Sequence, residues 1–162
     1  MRAIGFVFLG AFVALSSSCI DPVHSDDVDA LGPEAPGVPE GLTHRAGQPC
    51  LTCHGGLGPG SPRFSVAGTV YLKRTDTAAL QGATVVITDA DGDSRSVETN
   101  EVGNFRIERD TWNPIFPLRI SLSYQGEDAT MKTLVNGNGG CNFCHRGDGD
   151  STHSPRVYLR TK

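Results

Sequence analysis

The chain has 162 residues, of which 38% are hydrophobic and 20% charged, enough apolar material for one modest domain but not for two independent cores. Its formal net charge of −4, without a basic cluster, argues against nucleic acid as a partner and permits cationic protein partners. Five cysteines make thiol or metal chemistry the first question to put to it.

Taken in order, the chain starts with Arg2 and an apolar run from Ala3 to Leu15, too short to span a bilayer and ordered like the n- and h-regions of a secretory signal. Residues 1–18 are therefore expected to be removed on export. Their single charge is Arg2, so the mature formal charge goes from −4 to −5. The small residues Ser16, Ser17 and Ser18 ahead of Cys19 resemble the lipobox of bacterial lipoproteins. That resemblance implies a lipid on Cys19, tethering the protein in the periplasm or at the outer surface of a Gram-negative bacterium, with the anchor as its only membrane contact. Ordinary cleavage before a free or intermolecularly paired Cys19 is the alternative.

Residues 19–48 are rich in Pro, Gly and acid, with Asp21, Asp26, Asp27, Asp29, Glu34 and Glu40 all preceding any cation. Such a composition reads as a flexible tether in which His24 is a solvated residue.

Two motifs of one spacing flank the remainder, Cys50-Leu51-Thr52-Cys53-His54 and Cys141-Asn142-Phe143-Cys144-His145. A lone C-x-x-C suits a zinc ribbon or a redox dithiol as well. The His directly after each pair is the discriminator, because C-x-x-C-H lets two thiols bond one haem while the adjacent imidazole reaches its iron. The motifs resemble the attachment sites of c-type cytochromes. They imply two haem c groups held by Cys50, Cys53, Cys141 and Cys144, with His54 and His145 as proximal iron ligands. This uses four of the five cysteines and leaves Cys19 for the lipid. His44, just before the first motif, is a candidate distal ligand.

After Gly55–Pro62 the period changes to two. Phe64, Val66, Val70 and Leu72 alternate with smaller or polar residues, and similar runs follow at 83–89, 94–99, 104–109, 118–124, 129–135 and 155–159. Met131 shares the inward phase of Ala129 and Val135 and is assigned to the core. Asp89-Ala90-Asp91-Gly92-Asp93 is read as a hairpin turn rather than a calcium loop. No stretch shows a helical period. The expected fold is all-β, a single antiparallel sandwich of about seven strands over residues 49–162. Ala67-Gly68-Thr69-Val70, Gly82-Ala83-Thr84-Val85-Val86-Ile87 and Thr99-Asn100-Glu101-Val102-Gly103-Asn104-Phe105 resemble the carboxypeptidase regulatory-like domain, which implies a transthyretin-like sandwich and no peptidase activity.

Roughly six strands between the motifs return the chain to its starting end, so both haem-binding loops are expected at one end of the sandwich. His153, before the final strand, falls there too and is the second distal candidate. The loop from Thr111 to Pro117 is placed at the same end, with Trp112 and Phe116 set either to cover a porphyrin or to plug the sandwich. The functional expectation is an extracytoplasmic dihaem electron carrier with redox protein partners, with no catalytic residues and hence no enzyme. A zinc-stabilised binding module and a subunit of a cytochrome filament, a homo-oligomer, are the alternatives.

Overall fold

The computed structural model, whose described residues are 21–75, 78–147, 149 and 152–160, contains seven strands, with apolar alternation clearest over Thr84–Thr88, Asn104–Glu108 and Arg119–Tyr124. The signal segment and Cys19 lie outside the described residues. The strands are β1 Phe64–Lys73, β2 Thr84–Thr88, β3 Ser94–Glu98, β4 Asn104–Glu108, β5 Arg119–Tyr124, β6 Glu127–Thr130 and β7 Val157–Arg160. They form two sheets, a three-stranded one in the order β4-β1-β7 and a four-stranded one in the order β3-β2-β5-β6. Three helical segments accompany them: α1 Pro22–Asp29, α2 Cys50–His54 and α3 Cys141–Cys144.

The core draws on both sheets. Val66, Val70, Phe105 and Ile107 come from the three-stranded sheet, and Val85, Ile87, Ile120 and Leu122 from the four-stranded one. Burying each such side chain stabilises the fold by roughly 1.5–3 kcal/mol. Trp112 belongs to this core, so it plugs the interior, while Phe116 packs against the core and lines a cleft beside the second motif. The turn between β2 and β3 is organised by Asp89, whose carboxylate accepts the backbone N–H groups of Asp91 at 3.1 Å and Asp93 at 3.0 Å. Its carboxylate is thus used to close the hairpin.

Four features depart from the sequence expectation. First, β7 pairs with β1 in parallel, through Val70↔Val157, Tyr71↔Tyr158 and Lys73↔Arg160. The cause lies upstream: Gly140 already bridges Ala67 in parallel, on the edge of β1 that β7 then takes up. Second, β6 ends at Thr130, so the alternation breaks there; Met131 is half-buried and outside the core cluster, while Val135 returns to bond Leu118.

Third, both motifs sit on short helical turns rather than in open loops. Segments of five and four residues are too short to display a helical period or to be stable alone, so tertiary packing must hold them. Fourth, the segment read as a tether is folded against the domain. α1 starts with Asp21 capping the N–H groups of Val23 and His24 and with Pro22 in its first turn. Further on, Asn100 and Asn104 donate side-chain hydrogen bonds to the carbonyls of Leu42 and His44.

Candidate functional site

In α2 the helical turn explains why the spacing matters. Residues three and four apart lie on one helix face, so Cys50, Cys53 and His54 are presented together. The turn closes with Gly55 N–H donating to the Leu51 carbonyl at 2.8 Å.

His54 is held on three sides. Its Nδ1 lies 2.7 Å from the Pro62 carbonyl oxygen. A carbonyl only accepts, so Nδ1 carries the proton and Nε2 keeps its lone pair for a metal. The ring stacks on Phe64 at 4.3 Å and 13°, and a Cβ at Gly60 would lie 2.8 Å from its Cγ and Nδ1 atoms. Gly60 is therefore needed for close approach to the imidazole.

The face bearing both thiols opens into a cleft of about 520 Å³, lined by His44, Cys50, Cys53, His54, Phe64 and Arg106. That volume falls within the roughly 300–1,000 Å³ of small-molecule and cofactor sites. The His44 and His54 ring centroids are 5.9 Å apart at an interplanar angle of 59°.

The second motif repeats the first. α3 carries Cys141 and Cys144, His145 follows at its C-terminal boundary, and His145 N–H donates to the Cys141 carbonyl at 3.0 Å. His145 Nδ1 lies 2.6 Å from the Pro155 carbonyl oxygen, so here again Nε2 is the nitrogen left for a metal. Cys144 and His153 share a second cleft of about 640 Å³ with Thr52 and Phe143. The Thr152 hydroxyl lies 2.7 Å from His153 Nδ1.

Both motifs lean on β1 and on each other. Asn142, 2% exposed, accepts from Thr69 N–H at 3.1 Å and donates to the Thr69 hydroxyl at 3.0 Å and to the Gln48 carbonyl at 2.9 Å. It thereby ties α3 to β1 and to the residue two before Cys50. Gly68 lets α3 come close, since a Cβ there would meet the Cys141 Cβ at 2.8 Å and the Phe105 ring at 2.9 Å. The motifs are thus neighbours along one strand, where the sequence reading put them in loops at one end of the fold.

Burial pushes the Cys50 thiol up to about 11, with Cys53 adding to the effect while its own backbone hydrogen bond and Arg106 oppose it. Burial pushes Cys141 up to about 12, followed by the nearby Cys50. Both are therefore protonated at neutral pH, the opposite of the lowered values that mark redox dithiols and nucleophilic cysteines. All four motif cysteines have free thiols.

No family model, curated protein or solved structure matches this chain.

Of the residues singled out from sequence, Cys50, Cys53, His54 and His44 share one cleft, and Cys144 and His153 share another. His145 stands between Cys144 and the strand-like return that bridges His145 to Ser154. His24, read from sequence as a solvated tether residue, is instead half-buried in a third cleft with Leu51, Thr52 and Phe143, its Nε2 shielded and without a hydrogen-bond partner. The Asp21-Pro22 helix start was the available signal. Glu34 and Arg45 were missed as well, and their pairing across eleven residues leaves no local pattern. No helix among the described residues is long and apolar enough to cross a membrane.

Proposed function

We propose that this chain is an exported dihaem electron carrier of the c-type cytochrome kind, built on a transthyretin-like β-sandwich whose layers are the two sheets. One observation carries the proposal: each C-x-x-C-H sits on a helical turn whose His bonds a proline carbonyl through Nδ1, at 2.7 Å and 2.6 Å, leaving Nε2 directed to other use. A protein with one such arrangement invites several readings. Two copies, side by side on one strand, favour a paired cofactor site.

The donor set fits haem better than zinc. Zinc wants four donors converging on one point, and among the described residues no three of His, Cys, Asp and Glu are gathered in that way. At Cys50 and Cys141, burial disfavours a charged thiolate and suits an uncharged thioether. In this reading Cys50 and Cys53 hold one haem and Cys141 and Cys144 the other, with His54 and His145 as proximal ligands. His44 is the distal ligand in the first cleft and His153 in the second. Haem, when bound, supplies one-electron ferric/ferrous chemistry, and the chain's part is placement and electronic tuning. With His54 and His44, and His145 and His153, as its ligands, each haem would have no open position, which would favour electron transfer to redox protein partners over ligand activation. A lipid on Cys19 would keep the carrier at a membrane surface.

The optical spectrum of the purified mature protein tests this. A red, low-spin protein whose spectrum carbon monoxide leaves unchanged is the expected result. A colourless protein containing zinc would defeat the proposal.

A further inference from the structure

The segment over the first cleft is held by a single cation in an unusual conformation. Arg45 has φ 50°, in the left-handed region that non-glycine residues seldom enter. Its guanidinium fixes it there, donating to Glu34 Oε1 and Gln48 Oε1 at 2.8 Å each, to the Gly32 carbonyl at 2.7 Å and to the Leu31 carbonyl at 3.4 Å. The same Glu34 oxygen stands 3.3 Å from His44 Nδ1. Asn104 on β4 holds the His44 backbone by donating to its carbonyl at 3.1 Å.

Two buried atoms in this cluster, His44 Nδ1 and Glu34 Oε2, have no aligned hydrogen bond. Buried polar groups are ordinarily satisfied, and exceptions gather where a bound group completes the site. A modest rotation of the imidazole would align Nδ1–H with the carboxylate, and a bond at Nε2 would hold the ring in that orientation.

We propose that Glu34 is a positioning residue for the first haem, its carboxylate, itself paired with Arg45, orienting His44 through Nδ1. This rests on the dihaem reading given above. The two proximal imidazoles are backed by neutral carbonyls, Pro62 and Pro155, whereas His44 is backed by a carboxylate. Partners of this kind set ring orientation and raise ligand basicity. A more basic ligand favours the ferric over the ferrous state. With both haems bound, the first would therefore be the lower-potential member of the pair and the donor to the second.

Redox titration of the intact holoprotein, followed optically and by low-spin electron paramagnetic resonance, tests the assignment on wild type, Glu34→Gln and Glu34→Asp. Glu34→Gln keeps the shape, removes the charge and leaves Arg45 uncompensated. The expected result is an upward shift of the lower midpoint alone, with two haems still bound and a changed resonance signature for that haem only. Glu34→Asp, which restores the charge, is expected to return the midpoint toward wild type. A two-haem protein whose midpoints ignore Glu34→Gln, or respond equally to Gln and Asp, overturns this assignment while leaving the dihaem reading intact. A wild-type protein without haem overturns both.

Discussion

At the scale of single residues, the buried thiols make a prediction with a definite sign. Cys141 rises from an ordinary 9.0 to about 12 in the folded chain, and Cys50 to about 11. A folded-state value above the unfolded one means that the folded state holds the proton more tightly, so the associated stability is present below pH 9.0 and is lost as pH climbs toward about 12. Haem-free protein is accordingly expected to melt at a lower temperature at about pH 11 than at about pH 8, with Cys141→Ser flattening the difference. Haem-loaded protein, whose thiols have become thioethers, is expected to lack this component. An equal alkaline loss in all three forms would show that these thiols do not carry it. The residues themselves were unevenly legible: Cys and His at fixed spacing announce themselves, and His44 stands close in sequence to its motif. Glu34 is ten residues from His44, and its partnership depends on bends at Gly37 and Gly41, with φ of 81° and 145°, that no spacing rule anticipates.

At the scale of elements, strands with a clear period of two were legible to within a residue or two, as β1 and β4 illustrate. Their neighbours were not. The parallel pairing of β7 is set by Gly139 and Gly140 docking on β1, a long-range contact between residues about seventy apart. Likewise α2 and α3 escaped notice because one helical turn has no period; their stability comes from β1 and from Asn142. That dependence is testable. Asn142→Ala removes three hydrogen bonds and leaves Thr69 N–H and the Gln48 carbonyl without this partner, which should cost about 2–4 kcal/mol in urea denaturation. A loss under about 0.5 kcal/mol, typical of surface positions, would mean that Asn142 does not join the motifs to the strand.

At the scale of the whole molecule, the two motifs lie near each other on β1, by a route that differs from the one the sequence suggested. An even count of antiparallel strands is not what brings them together. β1 does so, by carrying β4 on one edge, Gly140 and β7 on the other, and Gly47 and His54 against Thr69 and Phe64. The 31–48 segment then closes over the first cleft, so the part of the chain with the least foldable composition becomes part of the site. The central claim is that each motif independently holds one haem on this shared strand. Intact mass of the exported protein tests it most directly, on wild type, on Cys50→Ala/Cys53→Ala and on Cys141→Ala/Cys144→Ala. Two haems on the wild type and one on each variant is the predicted result; a wild-type mass equal to the haem-free polypeptide, or both haems lost from either variant, would contradict it.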